Sequence, residues 1–247
     1  MTAGFDGQSV VITGASRGIG LGCAEAFARS GAAVTLISRD PVALEQAASS
    51  IRRAGGSARA LSADVTDASA MQIAFESIER CDVLINNAGG NEPQAFLEVP
   101  LDSLDRLLAI NVRAMFVTAQ LAARKMAAQR SGVIVQMSSQ MGHVGAARRT
   151  VYCMTKHAVE GLTKAMAVEL APLGIRVNSV APTFVETPLT RPFLADQQFL
   201  ADTLARIPQQ RIGTIEEVVA AVMFLASPAA SLITGTSLRV DGGYTAQ

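Results

Sequence analysis

Ser9-Val-Val-Ile-Thr-Gly-Ala-Ser-Arg-Gly-Ile-Gly20 is the stretch that decides the fold. A short apolar run rich in β-branched residues leads directly into Gly14, Gly18 and Gly20, and a segment of helical character follows. Glycines at such a junction let the backbone approach a pyrophosphate, and the free N–H groups of the helix start receive its negative charge. The spacing is G-x-x-x-G-x-G, not the commoner G-x-G-x-x-G, so the pattern by itself also fits a tight turn that holds no ligand. Its position between a first strand and a first helix favours a dinucleotide.

Working outward, short β-branched runs alternate with long alanine-rich segments, the pattern of a parallel sheet with helices on both faces. Strands are predicted at Ser9–Thr13, Ala33–Ser38, Ala58–Ser62, Val83–Asn86, Val133–Met137, Arg176–Val180 and Ser237–Val240. Most are apolar at consecutive positions, as strands covered on both faces are. Helices are predicted over 18–29, 41–54, 67–79, 101–129, 150–171 and 215–226. Asp40-Pro41 supplies an N-cap followed by proline at the first helical position, and Asp67 opens the next helix. The rhythm breaks at 182–212, which carries Pro182, Pro188, Pro192 and Pro208 and is read as a lid over a site. No internal repeat or linker divides the 247 residues, so a single domain is expected.

Lysine plus arginine and aspartate plus glutamate are balanced at 21 each, which leaves no basic footprint for nucleic acid or an anionic membrane. Cys23, Cys81 and Cys153 are odd in number and widely spaced, which suits a reducing compartment. The opening Met1-Thr-Ala-Gly-Phe-Asp-Gly-Gln lacks the basic and apolar regions of a signal peptide. The longest apolar stretch, Val218–Ala226, is far short of the roughly 20 residues that cross a bilayer. A cytoplasmic protein without a membrane anchor is expected. His143 and His157 have no metal-ligand company, so no metal site is expected.

Tyr152 and Lys156 stand four residues apart in a predicted helix, with Ser138 and Ser139 upstream. Residues at i and i+4 share one face, so the phenol and the ammonium meet in one small volume. A cation there is expected to draw the tyrosine pKa down toward neutrality, which suits proton exchange with an alcohol or carbonyl oxygen. At the end of the second strand stands Ser38-Arg39 where an acidic residue would hold a free ribose 2′-hydroxyl. With Arg17 in the glycine loop, two guanidiniums favour the 2′-phosphate of NADP over NAD; the alternative is that both are ordinary surface arginines.

These residues, with further motifs, make the chain resemble the classical short-chain dehydrogenase/reductase family over essentially its whole length. The motifs that carry the resemblance are Thr13 to Gly20, Asn86-Asn-Ala-Gly89, Asn111, Ser139 with Tyr152-x-x-x-Lys156, and Pro182 through Thr187. The resemblance implies a doubly wound, Rossmann-type sheet of seven parallel strands and a homotetramer. It implies that Ser139, thirteen residues before the tyrosine, holds and polarises the substrate oxygen while Tyr152 is the general acid of reduction. It implies that Lys156 binds the nicotinamide ribose and lowers the tyrosine pKa, and that Asn111 anchors a water that links the lysine to solvent. Gly14, Ser16, Arg17, Gly18, Ile19 and Gly20 are then the phosphate cradle, and Ser38 and Arg39 the ribose end. Asp64 and Val65 flank the adenine. Asn86, Asn87, Ala88 and Gly89 line the cofactor, and Pro182, Val185 and Thr187 contact the carboxamide. Thr183 departs from the glycine that many members carry there.

The expected substrate is a small ketone or secondary alcohol, with a sugar acid or another polar carbonyl as the leading class. A 3-oxoacyl-acyl-carrier-protein reductase is the alternative, with Arg124, Lys125 and Arg130 as a docking patch; a non-catalytic NADP-binding regulator is a remote one. Arg148 and Arg149 either bind an anionic substrate or face solvent or a neighbouring subunit.

Overall fold

The computed structural model describes residues 4–188 and 190–247. The first three residues of the leader reading and Leu189 in the proline-rich segment lie outside the described residues. Seven strands form one parallel sheet: β1 Ser9–Thr13, β2 Ala33–Ser38, β3 Ser57–Ser62, β4 Val83–Asn86, β5 Gly132–Met137, β6 Ile175–Pro182 and β7 Ser237–Val240. Their order across the sheet is β3-β2-β1-β4-β5-β6-β7. The winding reverses between β1 and β4, where Val10 pairs with Val83 and Ile12 with Ile85. Crossover connections leave that seam in opposite directions, so a crevice opens beyond the strand carboxyl ends. The fold class agrees with the sequence-based expectation.

Helices α1 Gly18–Arg29 and α2 Pro41–Arg53 cover one face with a later helix, Ile215–Ala226; α3 Ala68–Glu76 covers the other. The first face buries Phe5, Phe27, Leu44 and Val218, with the Phe5 and Phe27 rings packed edge to face at 4.8 Å. The second buries Met71, Phe75, Leu84 and Met126. Truncating a fully buried ring such as Phe27 to alanine costs about 3–5 kcal/mol, because lost transfer energy and a residual cavity add. The expected caps form: Asp40 accepts from the N–H groups of Val42 and Ala43, and Asp67 from those of Ser69 and Ala70.

Two departures from expectation bear on the site. The single helix expected over 101–129 is three pieces, α4 Leu101–Leu108, a π-helical turn Ala109–Arg113, and α5 Ala114–Gln129. The turn carries Asn111, whose carboxamide bonds outside the helix, and such wide turns concentrate at functional sites. The 182–212 segment also contains regular structure, the short α7 Arg191–Leu194 and α8 Gln197–Ala205. Proline-interrupted pieces this short carry no sustained period in sequence. The remaining long helices are α6 Thr150–Leu170 and α9 Ile215–Ala226, the latter opened by a reciprocal Thr214 and Glu217 capping box. Asp241, just past β7, closes the chain end by accepting from the N–H groups of Gly243 and Thr245 at 3.0 Å.

Candidate active site

The site begins where β1 meets α1. Gly14 and Gly18 have φ of +65° and +59°, the left-handed region that glycine enters without strain. A Cβ on Gly14 would stand 3.0 Å from the Ala88 Cα, and one on Gly20 would overlap the Gly14 carbonyl. The glycines therefore let the β1–α1 turn press against the end of β4. Thr13 locks the two, its hydroxyl oxygen accepting from the backbone N–H of Asn87 at 3.0 Å and of Ala88 at 3.1 Å. The Asn87 carboxamide donates back to the Thr13 carbonyl at 3.0 Å. Arg17, the N-cap of α1, provides no side-chain bond to the first helical turn. The N–H groups there are free to receive an anion.

From this turn a groove of about 710 Å³ runs across the strand ends. Gly14, Ser16, Arg17, Gly18 and Ile19 form one wall, and Ser38, Arg39 and Val65 the far end. Asn87, Ala88, Gly89 and Thr187 close the near side. The Ser38 hydroxyl is buried with no partner in the protein, and a buried polar atom without a partner calls for one from a ligand. The residues present thus fit a dinucleotide. Three expected contributors do not themselves line the groove, although Asp64 stands between the lining residues Ala63 and Val65. Gly20 sits beneath the turn, and Asn86 is buried, its carboxamide donating to the Met115 carbonyl at 2.8 Å. The Asp64 carboxylate accepts from the Thr66 N–H and hydroxyl, with Arg39 3.9 Å away. Burial opposes its ionisation, but those bonds and Arg39 hold its pKa below the usual carboxylate value.

The groove leads into a chamber of about 180 Å³ that shares Ile19, Asn87, Gly89 and Thr187 with it. Ser139, Tyr152, Lys156, Pro182 and Val185 line this chamber, so it gathers the residues that the sequence singled out for chemistry. The Lys156 ammonium donates to the Met137 carbonyl at 2.8 Å and lies 5.6 Å from the centre of the Tyr152 ring. The Ser139 hydroxyl donates to the Gln140 carboxamide oxygen at 2.7 Å while accepting from the Met141 N–H at 3.2 Å. Asn111 is fully buried, holding the Gly90 N–H and carbonyl at 2.8 and 2.9 Å and donating to the Thr155 hydroxyl at 3.1 Å. Thr155 in turn donates to the Tyr152 carbonyl at 2.8 Å, which ties the π turn to the helix of the tyrosine.

The electrostatics correct one expectation. Burial raises the Tyr152 pKa above its ordinary value, and the nearby Ser139 hydroxyl and the Arg149 charge only partly oppose this. Lys156 does not bring it down because its ammonium is committed to the Met137 carbonyl and is itself buried. Desolvation lowers the Lys156 pKa to about 8 despite the carboxylate of Glu160. Glu160 was not anticipated, although it stands four residues beyond Lys156, the same spacing that paired Tyr152 with Lys156. It is buried, accepts from the Ser179 hydroxyl at 2.9 Å and from that of Ser237 at 3.1 Å, and has the His143 imidazole 3.4 Å away.

The far wall of the chamber comes from the 182–212 segment, where Phe184, Thr190 and Phe193 face the site. Phe199 of α8 packs on Phe184 at 5.5 Å and on Phe193 at 6.3 Å between ring centres. Three further lining residues carry buried polar atoms without partners: Asn91 Oδ1, Ser138 Oγ and Thr183 Oγ1. The two arginines before the tyrosine part company. Arg148 is exposed, with φ of +60°, whereas Arg149 is buried and lines the chamber. Among the described residues no group of three or more His, Cys, Asp or Glu could hold a metal, and no helix is long and apolar enough to cross a membrane.

Comparison with known proteins gives consistent matches. A family profile described as enoyl-(acyl carrier protein) reductase matches residues 14–245. The chain is 39% identical to the L-xylulose reductase of Bos taurus, over 97% of each chain. A short-chain type dehydrogenase/reductase from Mycobacterium marinum is 40% identical, with a TM-score of 0.94 over 99% of this chain and 98% of that one. The gluconate 5-dehydrogenase of Burkholderia cenocepacia, solved in complex with NADP and tartrate, is 33% identical with a TM-score of 0.96, over 99% of this chain and 97% of that one.

Proposed function

The chain belongs to the short-chain dehydrogenase/reductase family and is an oxidoreductase acting on CH–OH groups, and from that premise we propose an NADPH-preferring enzyme for sugars or sugar acids. The observation that carries this reading is the shared wall between the groove and a chamber lined by Ser139, Tyr152 and Lys156. A nicotinamide bound there supplies or accepts hydride. The phosphate end is held by the α1 N-terminus and the glycine turn, and the ribose end by Ser38, Arg39 and Arg17. The carboxamide is held by Pro182, Val185 and Thr187. Relatives that act on xylulose and gluconate, one of them solved with NADP and tartrate, support the cofactor and the polyhydroxylated substrate class.

In reduction, Ser139 turns its hydroxyl from Gln140 toward the carbonyl oxygen, and Tyr152 delivers its proton to that oxygen. The raised pKa of the phenol keeps that proton in place until the oxygen gains negative charge. Lys156, with a pKa of about 8, exchanges protons readily near neutrality and holds the ribose. Asn111, through Gly90 and Thr155, keeps the far side of Lys156 in register and anchors the water that connects it to solvent. The polar atoms of Asn91, Ser138 and Thr183 take the hydroxyls of the substrate, since each is otherwise left without a partner. Segment 182–212 is the lid, and its aromatic cluster of Phe184, Phe193 and Phe199 excludes water.

The acyl-carrier reading has less support. Arg124, Lys125 and Arg130 lie on the last turns of α5 or just beyond, next to the start of β5, whereas the chamber opens at the strand carboxyl ends. A carrier docked there would face the wrong end of the sheet. The non-catalytic reading conflicts with an intact Ser139, Tyr152 and Lys156. A homotetramer fits the exposed apolar side chains of Phe116 on α5 and of Met154 and Val168 on α6. NADPH consumption with keto-sugar acids, neutral keto-sugars and 3-oxoacyl thioesters tests the reading. Turnover of either sugar set supports it, and turnover of thioesters alone overturns it.

A further inference from the structure

We infer that Arg149 is the carboxylate receptor of the catalytic chamber, and that the physiological substrate is a polyhydroxy acid, not a neutral sugar. This rests on the oxidoreductase reading of the same chamber and adds its charge selectivity. Arg149 is only 6% exposed, and among the described residues no carboxylate lies within 4.0 Å of it and its guanidinium donates no hydrogen bond. Its charge interactions are with Tyr152, Arg148 and Cys153, none of them a carboxylate. An arginine cannot shed its proton to escape burial, and its nitrogens, which no acceptor among the described residues takes, open to the chamber, where an anionic ligand would pair with them.

The geometry says what kind of anion. The guanidinium carbon lies over the Phe193 ring, 5.6 Å from its centre. The five N–H donors form a planar fork with no acceptor among the described residues, which suits a planar, two-oxygen acceptor. Arg149 is the N-cap of α6, three residues before Tyr152, which sets the receptor one turn from the proton donor. Asn91, Ser138 and Thr183, each with an enclosed polar atom that has no partner in the protein, line the same small chamber, so side-chain rotation would bring those atoms to hydroxyls of the ligand. Arg148 is the internal contrast. Its left-handed backbone turns it out to solvent, and its carbonyl accepts from the Gln94 N–H at 3.0 Å. One turn thus sends two adjacent arginines to opposite sides of the wall.

The test measures kcat/KM with NADPH for a keto-sugar acid and for the neutral keto-sugar of equal carbon number, in wild type, Arg149→Met, Arg149→Lys and Arg148→Met. Tartrate, a hydroxylated dicarboxylate, is measured in parallel as a ligand of the NADPH complex, with the uncharged four-carbon polyol as its control. Wild type should favour the acid, and Arg149→Met should lower the acid-to-neutral ratio by about 100-fold, mostly through KM, as loss of one buried charge pair does. Arg149→Lys should keep part of the preference, because it keeps charge without the fork, and carries the test if the methionine variant does not fold. Arg148→Met should leave the ratio where it was, and tartrate affinity should follow the acid.

Turnover of the neutral sugar with a ratio that ignores Arg149 overturns the receptor and leaves the redox reading standing. No turnover of either sugar, with tartrate binding still dependent on Arg149, overturns the sugar and sugar-acid reading of the reaction and sustains the receptor. Neither turnover nor Arg149-dependent binding overturns both.

Discussion

Replacing Lys156 with methionine should make the protein more stable while destroying its activity. Lys156 is 4% exposed, and burial holds its pKa at about 8 against the ordinary 10.5. That difference corresponds to about 3 kcal/mol of penalty on the charged form in the folded state. Methionine fills nearly the same volume without charge, but it abandons the bond to the Met137 carbonyl, worth about 1.5–3 kcal/mol because the donor is ionised. The net gain is up to about 2 kcal/mol at pH 7, or up to roughly 8 °C in Tm for a chain of this length. The pH dependence identifies the cause. Below pH 8 the lysine is charged in both folded and unfolded states, so its full cost is present. Between about 8 and 10.5 the unfolded chain keeps a proton that the folded one has released, so wild-type stability rises with pH. The methionine variant has no such group, and its advantage should vanish by about pH 9.5. Cys23 and Cys81, whose thiols burial pushes up to about 12, are common to both proteins and cancel in the difference. Thermal and urea unfolding of the two cofactor-free proteins at equal concentration, from pH 7 to 10, measures this. A variant less stable at pH 7, or a difference that does not change with pH, would refute the claim that the active-site lysine is a buried, costly charge.

Three further outcomes follow from the same geometry. Arg39→Asp should weaken NADPH relative to NADH by about 10-fold or more, since it exchanges a phosphate partner for a like charge; fluorescence titration with an unchanged NADPH Kd would remove Arg39, 71% exposed on its side chain, from 2′-phosphate recognition. Glu160→Gln should move the Lys156 ionisation below about 8, because the carboxylate is what holds it up against desolvation, so the alkaline limb of the reductive pH profile shifts to lower pH; a limb that stays put would show that Lys156 does not set it. Gly20→Ala should lose about 1–3 kcal/mol through overpacking, with dinucleotide affinity falling alongside, because the new methyl overlaps the Gly14 carbonyl. Normal Tm and normal affinity in that variant would show that the turn yields more easily than its contacts suggest.

Much of the fold was legible because parallel strands covered on both faces are apolar at consecutive positions and their helices carry caps that depend on local chemistry alone. Asp40 and Asp67 are such caps, and both form. The interruption of the 101–129 helix was not legible: Ala109–Arg113 has no glycine or proline, and its π turn accompanies a tertiary bond from Asn111 to Gly90. The Tyr152 and Lys156 spacing placed both in the chamber, since a helix transmits i, i+4 proximity regardless of the rest of the fold. The effect on the tyrosine pKa could not be read the same way, because burial is set by residues distant in sequence that surround the same chamber, such as Met137 and Phe193. Glu160 was within reach of that same arithmetic. The parting of Arg148 from Arg149 was not, because it depends on a single left-handed residue and on where Phe193 comes to rest.

The most direct test of the central claim uses NADPH deuterated at the transferable position of the nicotinamide, a polyhydroxy keto acid and mass spectrometry of the product, for wild type and Tyr152→Phe. Wild type should place one deuterium on the new alcohol carbon, and the variant should form almost no product while its NADPH affinity is retained. Unlabelled product, or labelled product formed at the wild-type rate by the variant, would contradict hydride transfer with Tyr152 as the proton donor.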